Sequence, residues 1–513
     1  MTYPEQKQHP PSESDLSRRN IRPFSSLDCE DDKRFTITLP QSTKLISEFA
    51  AELAWRLTSA DAPVFVRNTE VVTLSHSGSG LEQMSASRFQ TFVEDFVRPS
   101  SSMTEATARA TLASNQFVSG LRRIKRIAFS RRPVIRHNGS LQLLPSGYDE
   151  ATETLTVSQT EIDEAMDFET AVTAIRCLYR DACFLHADNG VATALAATLT
   201  LYCAELLPPD APRPVFIFQG NATGAGKGTI AAMSIAPVFG EVVVSTTSQR
   251  EEEVKKTLLP VVLSGREYLL LDNLKGRLES PSLEAFTTAA VYEDRQLGSS
   301  TLVRAANLAT VFITGNDLRV SGDLARRSLT VELFLPAENA ETYWRGKESL
   351  ELSDILALRP RLLSALFCLV KEWDLKGRPG PKTMHGCFRS WSQVIAGIIE
   401  ANGFESPCKP VQQTFGGDQD ATDIRRLVEE VVRKHATKKF RFEELVTQCV
   451  AIGCFERITG GSDQLKRSET ASLGMVMKRY NDRLFEIDAV PWRFRVMGDG
   501  HGKRFFTEKA LSR

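Results

Sequence analysis

The sequence predicts an α/β protein with a buried parallel sheet at its centre, an α+β domain before it and a winged helix at its end. Three observations predict it. The apolar runs EVVVST (241–246), EYLLLD (267–272) and ATVFIT (309–314) are separated by helical segments. Near-continuous apolar strands alternating with helices imply a sheet covered on both faces. A fourth run, PVFIFQG (214–220), breaks into glycines and then a helix, the strand–loop–helix unit of such sheets. Finally, KFRFEELVTQCVAIGCF (439–455), LKRSETASLGMVMKRY (465–480) and WRFRVMGDGHGKRFFTEK (492–509) read as helix, helix and two strands around a Gly-rich turn.

The 513 residues leave room for several cores, and five segments are expected. These are a disordered tail (1–35), an α+β N-terminal domain (36–165), the sheet core (166–345), a helical region (346–419) and the winged helix (420–513). The tail is polar and rich in Pro and Ser, unlike a signal peptide. Nine cysteines without a C-x-x-C pair argue against a zinc ribbon and for a reducing compartment. With no apolar run long enough for a bilayer, a cytoplasmic protein is expected. The net charge of -1 hides an uneven distribution: from Ala421 onward there are 19 Lys and Arg against 13 Asp and Glu.

In the N-terminal domain, 62–74 and 132–144 read as strand pairs around Asn or Gly turns. Residues 85–97 and 109–129 show helical spacing. The basic stretch Arg122, Arg123, Lys125, Arg126, Arg131 and Arg132 admits two readings, a nucleic-acid surface or a solvated helix face.

The loop GNATGAGKGT departs from the phosphate-binding pattern G-x-x-x-x-G-K-[ST] at two places, with Asn221 for Gly and Gly228 for Ser or Thr. Its glycines still allow an anion-binding nest, and Asn tolerates left-handed backbone angles. Asn221, Ala222, Thr223, Gly224, Ala225, Gly226, Lys227, Gly228 and Thr229 are therefore the candidate nucleotide contacts. Lys227 reaches the outer phosphates, and the hydroxyl for Mg²⁺ comes from Thr229, one position late, or from a shifted loop. The alternative is a glycine turn without a ligand.

Asp272 ends the strand YLLLDN and is the expected second Mg²⁺ residue, on a strand beside the phosphate loop. Asn273 follows, an amide that orients water but takes no proton. A base is then sought in the acidic run Glu251, Glu252 and Glu253, with Glu252 and Glu253 as candidates, although such a run is also an ordinary helix start. In TGNDLRVSGDLARRSL (314–329), Asn316 is placed to contact the terminal phosphate or the water. Arg326 and Arg327 offer a guanidinium that could cross a subunit boundary, or form a surface pair.

Taken in order, GNATGAGKGT, YLLLDN, DRQLGSS, TGNDLRVSGDLARRS and FRSWSQVIAGIIEANGF resemble the AAA+ ATPases of phages, plasmids and integrative elements. That group is similar to superfamily-3 and minichromosome-maintenance helicases. The resemblance spans roughly residues 130 to 513. It implies a P-loop AAA+ ATPase core, ATP and Mg²⁺ as cofactors, and a homo-oligomeric ring such as a hexamer. DRQLGSSTLVRAAN (294–307) resembles a hairpin that grips single-stranded DNA in the ring's pore, through Arg295, Arg304 and a Gly298-Ser299-Ser300 tip. That tip lacks the basic residues many relatives carry, and the same segment also reads as an ordinary surface hairpin. Lys466, Arg467, Lys478, Arg479, Lys503 and Arg504 lie on the second helix and wing of the C-terminal domain, where they would contact duplex phosphates. A winged helix also binds protein in other settings.

Two readings of function follow. The first is an ATP-dependent DNA helicase or translocase replicating a mobile element, with a separate primase beside it. The second is a non-processive ATPase switch, a helicase loader or defence regulator. Motif order and the basic C-terminal domain favour the first, and Asn273 with the polar hairpin tip favours the second.

Overall fold

Six consecutive buried residues, Val215–Gly220, form the strand around which the chain is organised. A computed structural model of the protein describes residues 35–40, 44–75, 80–245, 250–295, 301–335, 350–409, 419–435, 438–488, 490–499 and 502–509. Residues 1–34 of the expected tail and residues 296–300, with the hairpin tip, lie outside these residues, while Phe35 already opens the strand Phe35–Ile37.

The central sheet has five strands, in the spatial order Val244–Ser245, Tyr268–Leu278, Thr310–Val320, Val215–Gly220 and Ser328–Leu333. All neighbours are parallel. Both faces are covered, as aromatic and branched residues at alternate positions require. On one face Phe216 and Phe218 stack on Phe312 at 5.6 and 6.3 Å. The helices Ala187–Tyr202 and Lys227–Phe239 share that core with Trp391, whose indole N–H donates to Thr200 Oγ1 at 2.8 Å. On the other, Val215, Ile217, Leu269, Leu271 and Ile313 pack with the helices Glu251–Leu263 and Pro281–Thr288.

The sheet differs from the sequence expectation in three ways. Of the strand expected over 241–246, the described residues 241–245 hold only Val244–Ser245, at the edge. The two middle strands run to 11 residues each, because they bend at irregularities near Asn273 and Gly276 and bury Leu278, Leu318 and Val320 in the second core. The fifth strand, Ser328–Leu333, lies on the far side of Val215–Gly220 from the middle strands.

The N-terminal residues build their own core from Ile37 to Leu121, around the helices Ile46–Ser59 and Ala86–Phe96 and the antiparallel strands Val64–Arg67, Glu70–Leu74 and Leu81–Gln83. The helical spacing over 109–129 resolves differently: helices Glu105–Leu112 and Asn115–Gly120 are followed by the strand Arg126–Ala128. From there the chain packs with the central core, since Ile124, Ile127 and Phe129 join the cluster that holds Phe216. The basic stretch is correspondingly no helix face, and its residues divide: Arg123 and Lys125 are exposed, Lys125 pairing with Glu153 at 3.2 Å. Arg126 and Arg132 are buried with Glu205 and Glu267, the Arg132–Glu267 pair lying at 2.7 Å. Arg122 pairs with Asp61 and lies 5.1 Å from the Phe65 ring centroid. Arg131 pairs with Glu164 at 3.3 Å.

Past the helix Arg359–Leu375 and a π-helical turn at Ser392–Ala396, the residues from 419 form a further core around Leu427, Phe455, Leu473 and Phe494. The helices Gln419–His435, Phe442–Ala451 and Arg467–Arg479 pack against a four-stranded antiparallel sheet. Its order is Phe440–Arg441, Gly502–Lys509, Val490–Asp499 and Leu484–Ile487. Among the described residues no helix is long and apolar enough to cross a membrane.

Candidate nucleotide site

At the carboxyl edge of the sheet, Val215–Gly220 gives way to a tight loop, and the helix Lys227–Phe239 opens directly from it. Gly224 and Gly226 take φ of 83° and 89°. Such left-handed angles are open to glycine, and anion nests are built from them. The helix start adds its unpaired N–H groups and positive dipole end. Ala222, Thr223, Ala225, Gly228 and Thr229 complete the loop and first turn; Thr223 and Gly228 are exposed, Thr229 half-buried. Lys227 is 9% exposed, and its ammonium donates to the Ala222 carbonyl at 3.1 Å across the loop. Burial lowers its pKa, and the nearby Asp272 carboxylate works against that shift.

Asn221 has a different place from the one its sequence position suggests. It lacks the left-handed angle. Its side-chain amide instead donates to the Leu335 carbonyl at 3.0 Å and accepts from the Leu335 N–H at 2.8 Å, while its own N–H donates to Leu333 O at 3.2 Å. Asn221 therefore extends the strand ladder and fixes the loop to the last strand, its polar groups turned to protein.

Asp272 is also not on the strand beside the loop. Thr310–Val320 intervenes, with Asn316 opposite Gly220. Where Leu271 pairs with Ile313 and Leu274 with Gly315, the two residues Asp272 and Asn273 face the single residue Thr314. In this bulge Asn273 takes φ 56°. Thr314, 1% exposed, accepts from the Asn273 N–H at 2.8 Å, and its hydroxyl donates to Asp272 Oδ1. Asn316 donates from Nδ2 to Thr223 Oγ1 at 3.3 Å, which ties it to the loop, and its Oδ1 is buried without a hydrogen-bond partner. Lys227, Asp272, Thr314 and Asn316 thus converge on one edge.

The donor set suits Mg²⁺. An exposed carboxylate, the Thr229 hydroxyl and an orphaned amide oxygen are hard oxygen ligands, few enough to leave room for water and phosphate. Among the described residues no three His, Cys, Asp or Glu side chains form a metal cage of their own.

The candidate base residues sit on a helix that also follows the carboxyl end of a strand, Ser245 lying opposite Leu271, but none of them is seen to contact Lys227, Asp272 or Asn316. Glu251 caps the helix Pro281–Thr288, accepting from Ser280 Oγ and, at 3.0 Å, from the Ser282 N–H. Glu253 pairs with Lys256 at 2.7 Å, and no described contact joins Glu252 or Glu253 to Lys227, Asp272 or Asn316. The edge strand leading into their helix is three strand spacings, about 14 Å, from the loop strand.

Arg326 and Arg327 lie at the opposite end of the sheet. Ser328 pairs with Val215 and Leu333 with Gly220, so about 17 Å of strand separates the arginines from their own loop. Arg327 is held inside the chain by Asp323 at 2.7 Å and by the Glu284 carbonyl. Arg326 is 62% exposed with one partner, Asp323.

The strands Val291–Arg295 and Leu302–Ala306 form a separate antiparallel hairpin, with exposed Arg304 opposite Glu293 and exposed Arg295 opposite Leu302. In the C-terminal unit Lys466, Arg467 and Lys478 are exposed, Arg467 and Lys478 on one helix face three turns apart. Arg504 is half-buried on the strand Gly502–Lys509, opposite Met497. The side chains of Arg479 and Lys503 lie outside the described residues.

No protein-family model matches the chain, and no curated protein does. Among solved structures it is similar to the apo C-terminal region of NrS-1, at 12% identity over 89% of this chain and 99% of that one, with a TM-score of 0.41. It is also similar to the SCCmec type IV Cch helicase, at 13% identity over 77% and 75% with a TM-score of 0.29. The JCV helicase is similar at 15% over 40% and 53%, with a TM-score of 0.24. Likenesses this weak establish no kinship, and the functional reading rests on the site.

Proposed function

We propose that the chain is a Mg²⁺-dependent ATPase that acts on DNA as an oligomer. The observation that carries this reading is the convergence of the glycine loop, Lys227, Asp272 and Asn316 at the carboxyl edge of a parallel sheet, where such folds bind ligands. Loop N–H groups and Lys227 hold the phosphates, Asp272 and Thr229 hold the metal's shell, and Asn316 orients the attacking water or the terminal phosphate. Bound Mg²⁺ would neutralise charge developing on the phosphates.

Arg326 lies too far from its own loop to serve there, so in this reading it completes the site of a neighbouring copy in a ring such as a hexamer. The hairpin bearing Arg295 and Arg304 then faces single-stranded DNA. The C-terminal unit, read as a winged helix, places Lys466, Arg467 and Lys478 on duplex phosphates. Together these support a helicase or translocase for a mobile element, working beside a separate primase. One observation favours the second reading, an ATP-driven loader or regulator: Asn273 stands where a proton acceptor would, and no carboxylate among Glu251, Glu252 and Glu253 is seen to replace it.

The deciding experiment measures ATP turnover with and without single-stranded DNA, and strand displacement on forked DNA. Helicase activity predicts DNA-stimulated turnover and displacement, both lost in Lys227→Ala, which folds normally but binds ATP poorly. ATP binding without stimulated turnover moves the switch reading to first place. Undiminished ATP affinity in Lys227→Ala sinks the site.

A further inference from the structure

Resting on that reading, we propose that Thr314 is the positioning residue that makes Asp272 a metal-holding carboxylate. The bulge poses a problem that Thr314 solves. Two residues facing one leave a backbone N–H without its ladder partner and a carboxylate free to rotate. The Thr314 hydroxyl takes both: it accepts from the Asn273 N–H at 2.8 Å and donates its proton to Asp272 Oδ1.

Its direction is therefore fixed. Because the Asn273 N–H can only donate, the hydroxyl proton is left to point at Asp272. One carboxylate oxygen is thereby engaged, and Oδ2 is left for a cation shell. Thr314 itself touches neither phosphate nor metal in this arrangement. It is 1% exposed and lies on the strand between the loop strand and the Asp272 strand. Serine would keep the hydroxyl, whereas valine keeps the branched shape that suits a strand and loses both hydrogen bonds.

The test compares the full-length parent with Thr314→Val and Thr314→Ser in equilibrium binding of ATP, once with Mg²⁺ and once with EDTA. The parent is expected to bind ATP more tightly with Mg²⁺. Thr314→Val should lose most of that gain, about tenfold, while its metal-free affinity stays within twofold of the parent, and Thr314→Ser should restore the gain. A merely structural role would lower both affinities together. Should the valine variant fail to fold, Thr314→Ala is measured alone and in an Asp272→Ala background, where its effect on the Mg²⁺ gain should vanish. A full Mg²⁺ gain in Thr314→Val, an equal loss with and without metal, or additive effects with Asp272→Ala overturns the proposal while leaving the nucleotide site standing. A parent that binds no ATP overturns both.

Discussion

Asn273 has a backbone explanation that its chemistry alone does not supply. At φ 56° it occupies the left-handed region, where Asn is several-fold enriched and a longer side chain is strained. A glutamate here would restore a proton acceptor only by forcing that angle on a poorer residue. Asn273→Glu should therefore destabilise the fold by about 1 kcal/mol, while Asn273→Gly is tolerated. Thermal melts of the two variants check this, and a glutamate variant as stable as the parent would show that the bulge does not select the residue. Asn221 carries the same lesson in reverse, since it replaces the pattern glycine because its amide is bonded to Leu335 at both ends.

At the scale of elements, the last strand has two unlike ends. Its exit is clamped to the phosphate loop through Asn221, and its entrance carries the arginine pair. The two arginines should then respond differently. Arg327 is 19% exposed and bonded to Asp323, the Glu284 carbonyl and Thr288, so Arg327→Ala should lower the melting temperature. Arg326 has only an exposed ion pair, worth little to stability. Arg326→Ala should melt like the parent and bind ATP nearly normally, yet hydrolyse it on the order of a thousandfold more slowly if it acts across a subunit boundary. Mixing it with Lys227→Ala should recover some turnover, and no recovery at any ratio would remove the trans role.

Across the whole molecule, the N-terminal part is joined to the sheet through charge as well as packing. Glu267, 4% exposed just before the strand Tyr268–Leu278, faces Arg132 and Arg126, and Arg213 is buried nearby. Burial alone would raise the Glu267 pKa, but Arg132 and Arg126 outweigh it and hold it below the usual carboxylate value. The sign follows: its contribution is complete above the unfolded carboxylate pKa, about 4.3, and is lost as pH falls below it. Glu267→Gln removes the carboxylate paired with the buried Arg132, while Arg126 keeps Glu205, and should cost about 3–5 kcal/mol near neutral pH. Its melting temperature should also fall less steeply than the parent's between about pH 5 and 3, and parallel acid limbs would refute the linkage. The same cluster shows why the basic stretch admits more than one reading: a run of arginines looks alike in sequence whether it meets solvent, as at Arg123, or distant glutamates, as at Arg126 and Arg132.

By itself the sequence determined the features that local patterns encode. Apolar runs of strand length, a glycine loop before a helix and the hairpin turns at Asn68 and Gly139 depend on side-chain periodicity and backbone freedom over a few residues. It placed Lys227, Asp272 and Asn316 as candidates because Lys227 opens a helix and the other two close apolar runs, although both strands continue past them to Leu278 and Val320. What tertiary structure alone decided was which strands are neighbours. Strand order put Thr310–Val320 between the loop and Asp272, made Thr314 the partner of the bulge and set the strand before Glu252 and Glu253 three places from the loop strand, while register put the arginines at the far end of the last strand. No local pattern holds that information, because strand order is set by how distant faces pack into two cores, and a hydroxyl gains its role only from the residues that packing brings opposite it.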